Sequence, residues 1–248
     1  MPRPPPHEST TSALLLRSSP VGEADAVISL FSQDFGRVDA FAPSARRPGK
    51  TRRLLLEPLH TLRVTLSERT GRDLPSVTAS TVERARTGIV GSLEGLEAAG
   101  QLLRWLRDTL PPRHPEPAAW ELAVHFLDRL GEAGSPPPDP AVATATFGVR
   151  LLWVLGYQLE LDQCIRCGKP CPDARAAYLD PAAGGLRCAA CGGGPVVASA
   201  ALRAAVRAAA EGADDALTAV HARELLSWLT VAFESHSGGR RFAKVRGR

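Results

Sequence analysis

Two pairs of cysteines constrain this chain more than any other feature: Cys164-Ile165-Arg166-Cys167 and Cys188-Ala189-Ala190-Cys191, with 20 residues between them. Two cysteines three positions apart on a tight turn place their sulfurs at adjacent corners of a tetrahedron, and two such knuckles complete it with four thiolates at about 2.3 Å from a zinc ion. Gly168 and Gly192 follow the knuckles and relieve crowding as the backbone turns back toward the metal. A shell closed by four sulfurs leaves no position for water. Cys164, Cys167, Cys188 and Cys191 therefore predict one structural Zn2+ per chain rather than a catalytic one. The stretch 164–194 is rich in Cys, Gly and Pro and too poor in hydrophobes for an ordinary core, so metal binding there contributes directly to folding. Two unrelated reduced pairs are the alternative. A thioredoxin-like redox role needs a single CxxC beside a βαβ pattern, which is absent. Cys171, the fifth cysteine, reads as a spare thiol or a substitute ligand.

Upstream, short β-prone runs crowd together. Residues 13–17, 26–31, 37–42, 62–66 and 76–82 are apolar, alternating or β-branched, with a turn at 33–36. Five short strands predict a small antiparallel barrel, and strand count alone does not separate an OB-fold from an SH3-like barrel. Near residue 90 the period changes. Leu93, Leu96, Ala99, Leu103, Leu106 and Leu110 fall at helical spacing behind Ser92 as N-cap, and Pro111-Pro112 stops them. Further helices are expected over 116–131, 140–158, 199–210 and 216–235, the one at 140–158 carrying the apolar run 151–155 that suits the centre of a bundle. The expected layout is an α+β multidomain chain. It has a disordered tail at 1–11, a barrel at 12–85, a helical domain at 86–163 and 195–237 with the zinc module 164–194 inserted, and a basic tail at 238–248.

At 44% hydrophobic and 23% charged, the composition is that of a soluble globular protein. The net charge of +4 is unevenly placed: residues 1–90 hold 13 Lys and Arg against 9 Asp and Glu, and residues 91–248 hold 17 of each. A polyanion would therefore meet the N-terminal third first. Arg46, Arg47, Lys50, Arg52 and Arg53 put five positive charges into eight residues between two expected strands, around Pro48-Gly49. Such a loop tracks phosphates and releases counterions, with a log–log salt slope of roughly −3.5 for five contacts on a single strand. Arg37, Arg63 and Arg69 extend the patch. Phe31, Phe35 and Phe41 are expected in the core, so binding should rest on phosphates, with weak sequence preference. The C-terminal Arg240, Arg241, Lys244, Arg246 and Arg248 form a second patch or a solubilising tail. No run approaches the ~18 apolar residues of a membrane span, and the first residues lack an apolar signal region, so the cytoplasm is the expected compartment. No GxxxxGK[ST], HExxH or GxSxG motif occurs, and no enzyme is expected.

These motifs, in their order, resemble the RecO family. The resemblance rests on Leu14-Leu15-Leu16-Arg17 with Gly22-Glu23-Ala24-Asp25, on Phe35-Gly36-Arg37-Val38, on Ala45-Arg46-Arg47 and on Leu56-Glu57-Pro58-Leu59. Residues 147–157 leading into Leu161-Asp162-Gln163-Cys164, and residues 178–188, carry it into the second half. It covers about residues 12–235 and implies an N-terminal OB-fold and a helical domain with the zinc module inserted. It also implies binding of single- and double-stranded DNA, annealing of complementary strands, and partnership with RecR and single-strand-binding protein to load RecA. The protein is then expected to be nucleoid-associated and a monomer on its own. A second reading is a zinc-ribbon regulator that reads a specific DNA sequence, or a protein-interaction module. Its reading helix, 199–210, offers only Arg203 and Arg207 on an Ala-rich body, a poor set for base edges.

Overall fold

Alternation of inward Ala, Val, Ile and Leu with outward polar residues builds the first half of the chain. The computed structural model describes residues 7–45, 54–69, 71, 73–132 and 139–236. Strands β1 (His7–Val21), β2 (Asp25–Ser32), β3 (Gly36–Ala42), β4 (Thr61–Glu68) and β5 (Ser76–Arg84) pair in the order β1-β2-β3-β5-β4. β4 returns to β1, so the sheet closes into a barrel. Every seam is antiparallel except β3–β5, where Phe41 and Ser76 meet in parallel. The interior is filled by Ala13, Leu15, Ile28, Leu30, Val38, Ala40, Leu62, Val64, Leu66 and Val77.

The strand β1 begins earlier than the sequence suggested. His7–Thr11, expected in the disordered tail, pair with β4 from Glu68 to Val64. These residues lack apolar alternation, which hid the strand. Thr11 is nevertheless fully buried, its hydroxyl 2.7 Å from Asp34 Oδ2 and 3.0 Å from Ser32 Oγ.

Helices α1 (Leu93–Thr109) and α2 (Pro117–Gly131) follow a 3-10 turn at Thr87–Gly91. Ser92 caps α1, its hydroxyl accepting from the Gly95 N–H at 3.0 Å. Contacts divide the chain into two compact units, Met1–Pro138 and Asp139–Arg248, so α1 and α2 belong with the barrel rather than with the later helices they were grouped with from sequence. The reason is where their apolar faces go. α1 packs on β1 and β2, which buries Leu14 and Leu16 on the outside of the barrel. Phe31 meets Trp120 of α2 edge-on, with ring centroids 5.4 Å apart. The buried face of α1 starts at Gly95 and continues through Ala99, Leu102 and Leu106, leaving Leu93 and Leu96 exposed, contrary to the sequence pattern.

Arg86 ties the barrel to α2. It is buried and donates to Asp128 Oδ1 at 2.7 Å, to the Leu59 carbonyl at 3.0 Å and to Thr61 Oγ1 at 3.0 Å. Burial lowers its pKa and the Asp128 hydrogen bond opposes that. Removing one member of such a buried pair costs about 3–5 kcal/mol. The β2–β3 turn lies against the α1–α2 connection. Gly36 has φ 67°, and a Cβ there would stand 1.8 Å from the His114 carbonyl oxygen. Beside it, Arg37 bridges Pro112, and the Arg113 N–H donates to the Arg37 carbonyl at 2.8 Å.

The second unit opens with α3 (Pro140–Val154), capped by Asp139, whose carboxylate accepts from the Ala141 N–H at 2.9 Å. α3 ends before the expected residue 158. The Gly156 N–H turns back to the Trp153 carbonyl and the Tyr157 N–H to the Leu152 carbonyl, at 3.0 and 2.7 Å, a Schellman closure. α4 (Ala200–Ala210) and α5 (Ala219–His236) both pack on α3, burying Leu151, Leu152, Leu202, Val206, Leu225 and Leu229.

Between α3 and α4 lies a second sheet, which the sequence reading left as coreless. Strands β6 (Glu160–Cys164), β7 (Ala177–Asp180), β8 (Gly185–Leu186) and β9 (Val196–Ala198) pair in the order β6-β8-β7-β9. Leu161, Leu179, Leu186 and Ala198 are its buried aliphatic residues, too sparse a pattern over such short strands to register as periodicity. Among the described residues, no helix is long and apolar enough to cross a membrane.

Candidate metal centre and basic surface

The small sheet positions the cysteines. β6 ends at Cys164 and pairs in parallel with β8, opposing Cys164 to Leu186, two residues before Cys188. The two knuckles thus leave the sheet side by side. In the first, the Gly168 N–H donates to the Cys164 carbonyl at 2.8 Å and the Cys164 N–H to the Lys169 carbonyl at 2.9 Å. In the second, the Cys191 and Gly193 N–H groups donate to the Cys188 carbonyl at 2.9 and 3.1 Å. Gly168 and Gly192 take φ of 70° and 98°, a left-handed conformation that serves the turn-back expected of them.

The Sγ atoms of Cys164, Cys167, Cys188 and Cys191 all lie within 4.8 Å of one another, and Cys167 Sγ is 3.7 Å from Cys188 Sγ. A tetrahedron with metal–sulfur bonds of about 2.3 Å has edges of about 3.8 Å. A disulfide requires about 2.05 Å, so the sulfurs are spaced for a shared ion and not for a bond between them. Cys164 is buried, Cys188 and Cys191 half-buried and Cys167 exposed.

The protonation pattern agrees. Backbone N–H groups of Cys188, Arg166 and Cys167 aim at the Cys164 sulfur and lower its pKa to about 6, the Cys188 N–H lying 3.4 Å away. Cys191 is pushed up to about 12, chiefly because it shares protons with Cys188 and Cys167 and is partly buried. Four sulfurs this close can all lose their protons when a cation sits among them, and a divalent metal ion supplies that charge. The cluster fits a metal ion in number, spacing and donor chemistry. Among the described residues no other group of metal-ligating side chains gathers this way. Cys171 stands outside the cluster, its N–H bonded to the Asp162 carbonyl at 2.7 Å.

Two arginines of α4 brace this module. Arg203 is fully buried and donates to the carbonyls of Leu161, Pro172, Arg175 and Cys171. Arg207 pairs with Asp162 and, at 2.8 Å, with Asp173. That hydrogen bond raises the Arg207 pKa and holds the Asp173 carboxyl below its ordinary value. Sequence reasoning weighed both side chains only as base readers. Their spacing of four on an Ala-rich helix beside the cysteine module was the available signal for a brace.

The basic loop residues Arg46, Arg47, Lys50, Arg52 and Arg53 lie outside the described residues. On either side of them Ala45 and Leu54 pack on the barrel core. Arg37 reaches the Arg107 carbonyl near the C-terminal end of α1 at 3.3 Å. Arg63 pairs with Glu83 at 2.8 Å, and Arg69 is exposed. Phe31 is buried, and Phe35 and Phe41 are half-buried, so the barrel shows no exposed aromatic ring among the described residues.

Both halves of the chain match known families. Residues 7–86 match the model of the Recombination protein O N terminal, and residues 92–245 match that of the Recombination protein O C terminal. The chain belongs to the RecO family. A DNA repair protein RecO of Anaeromyxobacter sp. (strain K) is 33% identical over 243 residues, covering 95% of this chain and 93% of its own. The protein of that name in Geobacter metallireducens is 32% identical over 186 residues, 75% of this chain and 73% of its own. The one in Bifidobacterium animalis subsp. lactis is 31% identical over 177 residues, 71% of each. The join between the two RecO models falls at the 3-10 turn after β5. The RecO C-terminal model therefore includes α1 and α2, although these pack with the barrel.

Proposed function

We propose that the chain is a non-catalytic mediator of DNA repair and recombination that binds single- and double-stranded DNA and anneals complementary strands. The observation that carries this reading is the RecO match across both halves of the chain, with RecO relatives aligned over 95% of it. The closed five-strand order supports assigning the barrel as an OB-fold, a frequent platform for single strands. The charge excess of the first 90 residues lies in the same part of the chain.

Annealing by this protein needs no covalent step. Two strands repel through their phosphates. Arg46, Arg47, Lys50, Arg52 and Arg53, with the flanking Ala45 and Leu54 rooted in the barrel, screen that repulsion and hold strands at high local concentration. Weak base preference lets the strands slide into register. Cys164, Cys167, Cys188 and Cys191 hold one Zn2+ as a structural ion, which fastens the two knuckles and the small sheet. In the cytoplasm, at the nucleoid, the protein acts as a monomer with RecR and single-strand-binding protein to help load RecA. The regulator reading is disfavoured because Arg203 and Arg207 are engaged within the protein and offer nothing to base edges.

The test is annealing of fluorescently labelled complementary strands coated with single-strand-binding protein. The expected result is faster annealing without nucleotide, insensitive to sequence. No acceleration, or acceleration for one sequence alone, refutes the proposal.

A further inference from the structure

Tyr178 on β7 is 44% exposed and stands directly opposite Val197 of β9, itself 55% exposed. Its ring lies along the backbone of Gly193, just past the second knuckle; a Cβ built there would touch Cγ, Cδ2 and Cδ1 at 3.4, 3.5 and 3.6 Å. Ile165, 38% exposed on the first knuckle, adds apolar surface. Exposed aromatic rings elsewhere among the described residues are Trp153 and Tyr157, and Tyr157 is already stacked on His236.

The charges of the module sort into paired and unpaired. Asp162 and Asp173 are taken by Arg207, Asp180 by Arg187, and Glu160 turns back onto the Asp162 N–H. Arg166 and Lys169 on the first knuckle and Arg175 on the β6–β7 connection are exposed, and among the described residues no carboxylate meets them. Cys164 is buried; Arg166 adjoins Cys167, whose sulfur lies within 4.8 Å of that of Cys191, two residues before the Gly193 on which the Tyr178 ring lies, and Arg175 precedes Tyr178 by three residues.

We infer that this end of the module is a second nucleic-acid contact, in which Tyr178 stacks a base of a single strand while Arg166, Lys169 and Arg175 meet its phosphates. Stacking platforms bordered by cations are how sequence-tolerant proteins hold single strands, and the described barrel surface supplies no such ring. An acidic peptide would use the cations but leave the ring idle. A duplex would use the cations but keep its bases out of reach. The inference deepens the DNA-binding reading above and rests on it.

The experiment uses the full chain, metal-loaded, titrated into labelled oligo(dT) and into a duplex of equal length over a range of salt. Tyr178→Ala is expected to weaken oligo(dT) binding about fivefold or more and leave the duplex nearly unchanged, while Tyr178→Phe restores it. The triple variant Arg166→Gln, Lys169→Gln, Arg175→Gln is expected to flatten the oligo(dT) salt slope by about 2. Metal content and hydrogen exchange over 160–198, unchanged in each variant, show that the module still folds; the surface triple variant keeps the test open should Tyr178→Ala disturb the sheet. Unchanged affinity and slope overturn the inference, as does an equal loss on both probes with Tyr178→Ala. Loss of a protein partner with DNA affinity intact overturns it in favour of protein docking. A wild-type chain that binds neither probe sinks the proposed function and this site together; wild-type binding lost only on neutralising Arg46–Arg53 sinks this site alone.

Discussion

Replacing Arg203 by Met should loosen the cysteine module while leaving the barrel untouched. The guanidinium is fully buried and makes two hydrogen bonds to the Leu161 carbonyl, at 3.0 and 2.5 Å. It also reaches Pro172, Arg175 and Cys171 at 3.1, 2.8 and 3.3 Å. Met keeps much of the stem's packing and donates nothing. The Leu161 carbonyl then loses both donors in a buried site, at about 1–3 kcal/mol. The other three carbonyls are part-buried and recover some of their loss by meeting water, and removing a buried cation returns part of its desolvation cost. The balance is a loss of about 3 kcal/mol, roughly a hundredfold in the local opening equilibrium. A chain of two units has no single unfolding free energy, so the assay is native-state hydrogen exchange read peptide by peptide. Peptides over β6 and the 171–175 segment should exchange faster, and those over β1–β5 should not. A change below about 0.5 kcal/mol, the ordinary scale of a surface substitution, refutes the brace. So does a loss spread evenly over the barrel.

Three further outcomes are expected. Cys164→Ser should abolish stoichiometric metal binding, read by elemental analysis of untagged protein, and raise exchange throughout β6–β9; retention of one metal per chain would contradict the cluster. Arg207 holds the Asp173 carboxyl below its ordinary value near 3.8, so its contribution is complete above that value and is lost as pH falls through the lower folded value. Arg207→Ala should remove this pH dependence from the module's exchange below about pH 4. Changing Arg46, Arg47, Lys50, Arg52 and Arg53 to Ala should flatten the single-strand salt slope by roughly 3.5 while circular dichroism stays unchanged; an unaltered slope removes the loop from the mechanism.

The parts legible in the sequence were those whose geometry is local. CxxC spacing followed by glycine dictates a knuckle whatever surrounds it, and the four sulfurs came together as the spacing required. Alternation along β3 and β4, the β-prone runs of β2 and β5, and the Ser92 cap are equally local. What escaped depended on distant partners. The Ser and Thr residues of 7–12 are strand only because β4 and Asp34 receive them. α1 and α2 look like members of any bundle, and it takes distant partners, Phe31, the outer face of β1 and the buried Arg86, to recruit them to the barrel. Arg203 reads as a solvated charge on an Ala-rich helix, because no local pattern announces four backbone carbonyls arriving from the 161–175 segment.

The barrel's seam is finished by something other than a strand. β3 meets β5 in parallel at Phe41 and Ser76, and farther along, its Arg37 is bridged by Pro112 and Arg113 from the α1–α2 connection. A proline there accepts the neighbour's company but has no N–H with which to extend the ladder. A protein gathered at high density along one polymer risks zipping to its neighbours through any raw sheet margin. Here the margin is stoppered from within by the chain's own connector, which occupies backbone groups that a neighbouring copy's strand would need.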